Sequence, residues 1–310
     1  MKKLNVCVLF GGISPEHKVS LRSAESVLLN LDPEKYNIFP VGITKDGQWI
    51  YFNSEDYSQL PNGCWMENPN NIPAAVSPVR GQGLLRFEDD RVVPEQIDVV
   101  FPVLHGENGE DGAMQGLLQM AGIPFVGSHL AESAVSMDKT LTKLVADNAH
   151  IPQAAWQLVN SRDLATRMDG IIRKIEERFS SPVFVNPAGT GSSVGVSKAA
   201  DRVALREALL TAGVYDKKIL VEEFIHGREI EVAVMGNESP VASVCGEIDS
   251  GADFYDYDSK YVTDTSTAYI PARISEETAE TVREAAVKVY SAIGCQGLSR
   301  VDFFVTYEDN

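Results

Sequence analysis

The stretch Val6-Cys7-Val8-Leu9-Phe10 constrains the fold most strongly. An unbroken apolar run without alternation marks a strand covered on both faces, as in parallel sheets flanked by helices. Gly11-Gly12 ends the run, and Val19, Ala24, Val27, Leu28 and Leu31 follow at roughly helical spacing. That pattern predicts a helix, then a second strand near Ile38 to Ile43. Asp46-Gly47 reads as a hairpin turn before Trp49 to Phe52. A second buried run, Ile97 to Leu104, leads into His105-Gly106-Glu107-Asn108-Gly109-Glu110-Asp111-Gly112. The first third therefore reads as a small parallel sheet with working loops at its strand C-terminal ends. Residues 53 to 96 give only weak signals.

Gly122-Ile123-Pro124 opens a new section. A long helix is expected over residues 131 to 148. Another is expected after Ser161 as N-cap, with Leu164, Met168, Ile171, Ile172, Ile175 and Phe179 on its inner face. Pro182 to Asn186, Ile219 to Phe224 and Glu229 to Met235 read as strands. Ser275 caps a further helix with Glu276 and Glu277 in its first turn, a stripe of Val282, Ala286, Val289 and Ile293, and Gly294 just past its end. Ser299 to Tyr307 is the last strand.

The 310 residues suffice for two or three compact domains. Net charge is -17, which argues against nonspecific binding to nucleic acid or anionic membranes. Cys7, Cys64, Cys245 and Cys295 lie far apart, with no C-x-x-C pair and no Cys/His metal spacing. They read as reduced thiols of a cytoplasmic protein. The apolar run after Lys2-Lys3 is too short for a signal peptide, and no stretch is long and apolar enough to span a membrane.

Three loops could carry chemistry. In Gly189-Thr190-Gly191-Ser192-Ser193-Val194-Gly195, the glycines let backbone amides converge and the serines add hydroxyl donors. Such a concavity suits phosphate oxygens, although a plain turn has the same composition. It is not a P-loop pattern. His105 to Gly112 reads either as a site or as a solvated turn, and a lone histidine with carboxylates on one loop fixes no metal geometry. Glu16, at the start of the first helix, either complements the helix dipole or faces a ligand amine. His17 reads as a surface histidine.

Taken in order, five segments change the balance. They are Gly11-Gly12-x-Ser14-x-Glu16-His17-x-Val19-Ser20, His105-Gly106-x-x-Gly109-Glu110-Asp111-Gly112-x-x-Gln115-Gly116, Gly191-Ser192-Ser193-Val194-Gly195, Phe254-Tyr255-Asp256-Tyr257-x-x-Lys260-Tyr261 and Arg300-Val301-Asp302. Together they resemble the D-alanine–D-alanine ligases of the ATP-grasp superfamily, over essentially the whole chain. Other ATP-grasp enzymes lack the Glu16 and His105 segments. The resemblance implies an N-terminal parallel-sheet α/β domain over 1–125, a first ATP-grasp subdomain over 126–222 and a second, incomplete one over 223–310. It implies a cytoplasmic enzyme, a homodimer, that uses ATP and magnesium (manganese being a possible substitute) to activate D-alanine as an acyl phosphate for a second D-amino acid. The product serves peptidoglycan precursor synthesis.

By that resemblance Glu16 holds the ammonium of the first substrate, with Val19 and His105 lining its site. Glu16, Ser192 and Tyr261 form a hydrogen-bonded set, and Arg300 stabilises the negative charge that develops on the intermediate. Lys139 and Lys260 contact phosphates, although Lys139 also fits a solvated helix lysine and Tyr261 a packed aromatic. Ser192 and Ser193 cover the phosphates. Glu222, Glu223, Phe224 and Ile225 match the strand that reads adenine, Glu229 matches the ribose-binding acid, and Asp302 matches the first magnesium ligand.

Two departures stand out. The family strand entering the Gly/Ser loop normally reads Val-Lys-Pro, and its lysine contacts the ATP phosphates, whereas this chain reads Val185-Asn186-Pro187. A lost charge-assisted contact costs roughly 1.5–3 kcal/mol, so weaker ATP use is expected, with recovery on Asn186→Lys. The family's Glu-x-Asn segment, which completes the magnesium site, and its following substrate loop would lie beyond Asn310. The expectation is a fragment of a longer chain with little ligase activity. A D-alanine–D-serine ligase and a catalytically impaired nucleotide-binding homologue are the alternatives. Tyr261 disfavours the D-lactate-using branch.

Overall fold

The computed structural model describes residues 2–191, 194–249 and 267–308. The chain forms two compact units, Met1–Ala134 and Val135–Asn310. In the first, β1 (Leu4–Gly11), β2 (Tyr36–Ile43), β3 (Trp49–Tyr51), β4 (Ile72–Val76), β5 (Leu84–Glu88), β6 (Arg91–Glu95) and β7 (Val99–Leu104) make one sheet in the order β6-β5-β4-β3-β2-β1-β7. Strand β1 runs parallel to β2 and β7, with Val8 opposite both Pro40 and Phe101. The remaining pairs are antiparallel.

The double-sided burial expected of β1 is borne out. Cys7 and Leu9 enter a cluster with Met114 and Leu118 of α2 (Ala113–Ala121). Val6, Val8 and Phe10 enter the opposite cluster with Leu21, Ala24 and Leu28 of α1 (His17–Asn30). Burying a side chain such as Phe10 is worth about 1.5–3 kcal/mol. Burial pushes the Cys7 thiol up to about 12, which leaves it a packing group rather than a nucleophile.

The weakly patterned residues 53 to 96 hold β4, β5 and β6, which extend the parallel core with short antiparallel strands. They also hold Trp65, fully buried and edge-on to Phe10 at 5.1 Å between ring centroids.

The helix expected over 131 to 148 is two helices, α3 (Leu130–Met137), which spans the division between the units, and α4 (Lys139–Asn148), with which the second unit continues. Asp138 breaks the run by adopting an extended backbone and capping α4. Its side chain accepts hydrogen bonds from the amides of Thr140 and Leu141. Ser161 is not the cap expected for the next helix. Asn160, at the end of β8 (Trp156–Asn160), accepts from the Arg162 amide and starts a 3-10 turn before α5 (Leu164–Arg178). Helices α5 and α6 (Arg202–Tyr215) pack on a sheet ordered β10-β9-β11-β8, formed with β9 (Val183–Pro187), β10 (Ser197–Ala199) and β11 (Lys218–Glu223).

A further sheet follows the order β13-β12-β14-β15, comprising β12 (Gly227–Met235), β13 (Val241–Ala242), β14 (Gly246–Asp249) and β15 (Thr267–Tyr269), with β16 (Leu298–Thr306) also paired to β12. Helix α7 (Glu276–Ile293) covers it. Ser275 accepts from the Thr278 amide and Gly294 closes the helix in a left-handed conformation, as the sequence predicts. Alternation on β12 and β16 sorts residues by face. Ile230, Val232, Val234 and Val305 are buried beside Val282 and Ala286, while Glu229, Glu231, Arg300 and Asp302 share the opposite face.

Candidate active site

In the first unit the site is built where β1 and β7 end. Glu16 is the N-cap residue of α1 and its amide donates to Ser14 Oγ at 3.0 Å. Ser20 ties the two strand ends together: its hydroxyl donates to the Val103 carbonyl and accepts from the Gly11 amide at 2.7 Å. His17 is not the surface histidine expected. It is buried, with Nδ1 2.7 Å from the Gly12 carbonyl, because the helix start folds back over the glycine turn. His105 lies beside α1, its Nε2 3.2 Å from Ser23 Oγ and its Nδ1 4.0 Å from Glu110 Oε1. Glu110 Oε2 accepts from the Gly106 amide at 2.6 Å. Gly106 lies against the Glu16 carboxylate so closely that a Cβ there would stand 2.6 Å from Glu16 Oε2. Gly106 thus brings the loop that carries His105 against Glu16, with Val19 half-buried on the same helix as Glu16.

The second unit carries an open cleft of about 960 Å³. Its walls include Lys139, Asn186, Glu222, Glu223, Phe224, Ile225, Glu229, Arg300 and Asp302, all singled out in the sequence. At one end, Lys139 Nζ donates to the Thr190 carbonyl at 2.5 Å, and the Lys139 amide donates to Ala188 O at 3.0 Å. The loop start is held by Asp216, which accepts from the Gly189 amide at 2.7 Å, so that amide is already paired within the fold. Asn186 is buried and donates to Glu222 Oε2 at 2.9 Å, while Lys143 pairs with Glu222 Oε1 at 2.8 Å. Glu223 is turned back into the fold, its Oε1 accepting from the Ala155 amide at 2.6 Å.

The partners of these residues, and Phe184, Lys198, Glu247 and Arg273 with them, carry no signal in the sequence. Phe184 and Phe224 form an aromatic wall, centroids 5.9 Å apart, with Lys198 Nζ 4.4 Å from the Phe224 ring centroid. Glu247 is buried and binds Arg273 through its backbone amide at 2.9 Å and its guanidinium at 2.7 and 3.2 Å, with Arg228 Nε at 3.6 Å. Burial opposes the charge of Glu247, but the hydrogen bonds from Arg273 outweigh it and hold the carboxyl below its ordinary range. These partners lie far apart in sequence, so spacing could not reveal them.

Arg300 and Asp302 project from β16 two residues apart, hence on one face. The guanidinium binds both Asp302 oxygens, at 2.7 and 2.9 Å, and approaches Glu231 at 3.4 Å. Magnesium wants several unencumbered oxygen ligands. Among the described residues no group of three His, Cys, Asp or Glu could hold a metal, and the Asp302 carboxylate is engaged by Arg300. These residues do not by themselves assemble the expected magnesium centre. Ser192, Ser193, Lys260 and Tyr261 lie outside the described residues. Among the described residues no helix is long and apolar enough to cross a membrane.

Two family models match, the D-ala D-ala ligase N-terminus over residues 5–128 and the D-ala D-ala ligase C-terminus over residues 145–310. A curated D-alanine–D-alanine ligase of Acetivibrio thermocellus is 47% identical over 99% of this chain and 84% of its own length. One from Ruminiclostridium cellulolyticum is 45% identical over 99% and 84%. Among solved structures, the VanG D-Ala:D-Ser ligase from Enterococcus faecalis superposes with a TM-score of 0.89 at 36% identity, covering 100% of this chain and 88% of that one. The D-alanine-D-alanine ligase from Coxiella burnetii gives 0.82 at 32% identity, covering 99% and 83%.

Proposed function

The chain belongs to the D-alanine–D-alanine ligase family, and on that premise we propose that it joins two molecules of D-alanine at the expense of ATP. The observation that carries this reading is 45–47% identity to curated ligases across nearly the whole chain. A carboxylate is a poor electrophile, so the first D-alanine needs activation. One of its carboxylate oxygens attacks the γ-phosphorus of ATP and ADP leaves, giving an acyl phosphate. The amine of the second D-amino acid then attacks the acyl carbon, inorganic phosphate departs and the nitrogen loses a proton. The dipeptide feeds peptidoglycan precursor synthesis.

Within this reading Glu16 binds the first ammonium, and Val19 and His105 shape that pocket. The cavity of the second unit takes ATP. Phe184, Phe224, Glu222, Glu223 and Ile225 surround the base, Glu229 meets the ribose, and Asn186, at the position of the family's phosphate-contacting lysine, belongs to the same nucleotide site. Lys139, Lys260, Ser192 and Ser193 serve the phosphates, and Arg300 stabilises the tetrahedral intermediate. Tyr261 is a catalytic residue alongside Glu16 and Ser192. Asp302, once freed from Arg300, would be one ligand of a magnesium ion, or of manganese in its place, which would neutralise charge on the transferring phosphoryl group. The functional division follows 1–125, 126–222 and 223–310, and the enzyme works as a cytoplasmic homodimer.

Similarity to the Enterococcus D-Ala:D-Ser ligase supports a second reading, in which D-serine is the acceptor. Purified protein supplied with ATP, magnesium, D-alanine and D-serine distinguishes the two. D-alanyl-D-alanine as the main product supports the first reading and a D-alanyl-D-serine excess the second. ATP binding with no amino-acid-dependent phosphate release contradicts both.

A further inference from the structure

The Glu222 carboxylate, which lines the cavity, is held from two sides. Its Oε2 accepts from the Asn186 amide at 2.9 Å and its Oε1 is 2.8 Å from Lys143 Nζ. The Lys143 side chain is 14% exposed and that of Glu222 20% exposed, so solvent screens this pair only weakly. Lys143 lies one helical turn beyond Lys139 on α4, and residues at that spacing share a face. One face of α4 therefore sends two ammonium groups toward the cavity walls, Lys139 to the Thr190 carbonyl and Lys143 to Glu222. Lys143 is further fixed by contact with the Ala154 carbonyl at 3.4 Å, and its own carbonyl accepts from Gln153 at 2.9 Å.

Asn186 brings a hydrogen bond to Glu222 but no charge; the positive charge at this carboxylate comes from Lys143. We propose that Lys143 is a positioning residue of the nucleotide site: with Asn186 it fixes the Glu222 carboxylate against the base end of the cavity, supplying there the charge that residue 186 lacks. The inference rests on reading this cavity as the ATP site. It revises the expectation that Asn186→Lys alone strengthens ATP use. In the natural background a lysine at 186 puts a second cation on a carboxylate that already has one. With Lys143 removed, the same lysine supplies the only replacement for the lost charge. Positions 143 and 186 then exchange one charge, and their effects are strongly non-additive.

The test is a cycle of Lys143→Gln, Asn186→Lys and the double variant, with ATP affinity measured by calorimetry and unfolding followed without nucleotide. Lys143→Gln is expected to weaken ATP binding by about tenfold, and to raise KM for ATP while leaving KM for D-alanine unchanged. Asn186→Lys alone should gain no ATP affinity over the natural protein, whereas the double variant should bind ATP several-fold more tightly than Lys143→Gln alone. A double variant as weak as Lys143→Gln overturns the proposal, as does a Lys143→Gln variant that melts early yet binds ATP normally. If the natural protein binds no ATP, the cavity assignment itself falls and takes this inference with it. Additive variants alongside normal ATP binding sink the inference alone.

Discussion

Gly106 offers a direct way to disturb Glu16 without touching it. The residue has φ +68°, and an added Cβ would stand 2.6 Å from Glu16 Oε2 and 2.8 Å from Ser14 Oγ. Gly81 has φ +83° and nothing within 4 Å of its Cβ position. Both Gly→Ala changes carry the left-handed backbone cost, about 1 kcal/mol. Only Gly106→Ala must also push the Glu16 carboxylate away. Glu16 yields readily because the contact is with the far end of a flexible side chain. If that carboxylate holds the substrate ammonium, the lost charge-assisted contact amounts to about 1.5–3 kcal/mol. That corresponds to roughly a 10- to 150-fold drop in kcat/KM for D-alanine. The assay is phosphate release at saturating ATP, with thermal melts of both variants. Both should melt lower, by about 2–4 °C. Only Gly106→Ala should lose D-alanine kcat/KM, with KM for ATP unmoved. Equal kinetics in the two variants would refute the assignment of Glu16.

Two further predictions concern acids whose partners were found only in three dimensions. Glu247→Gln leaves Arg273 and Arg228 without their shared carboxylate and should destabilise the second unit by about 1–3 kcal/mol, allowing for the exposure of Arg273. The folded carboxyl lies below its ordinary 4.5, so its stabilisation is complete above that value and fades as pH falls through the folded pKa. Melting curves of the natural protein and Glu247→Gln should therefore differ most above pH 4.5 and draw together as pH falls below it through the folded pKa. Asp138→Ala removes both the α4 cap and the partner of Lys218, and should lower stability by about 1–2 kcal/mol in thermal unfolding at neutral pH. Burial opposes the Asp138 charge, but hydrogen bonds from Lys218 and Thr140 outweigh it, so the folded pKa sits below 3.8. The deficit of Asp138→Ala should persist at pH 5 and shrink as pH falls below 3.8 through the folded pKa.

Local chemistry explains which parts of the fold were legible. The double-sided strand β1 and the helix from Ser275 to Gly294 announce themselves within a few residues, because burial and caps act over short spans. Asp138 sits inside a continuous helical pattern, and only its extended backbone, which lets it cap α4 and reach Lys218, shows the break. Strands β4 to β6 are short, and a partly exposed antiparallel edge leaves little hydrophobic periodicity to read. The motif residues of the candidate site could be named because each sits in a distinctive local segment. Their partners could not. Glu222 meets Asn186 across neighbouring strands and Lys143 from a helix, and Glu247 meets Arg273 from the far side of a long connection. His17 reads as polar and exposed until the fold closes over the Gly12 carbonyl.

The central claim is that ATP activates the D-alanine carboxylate before the peptide bond forms. D-alanine labelled with oxygen-18 in its carboxylate tests it most directly, with the inorganic phosphate and dipeptide analysed by mass spectrometry after turnover. The account predicts one labelled oxygen in each phosphate released, because the oxygen that attacks the γ-phosphorus leaves with it. Dipeptide formed alongside unlabelled phosphate would contradict the account.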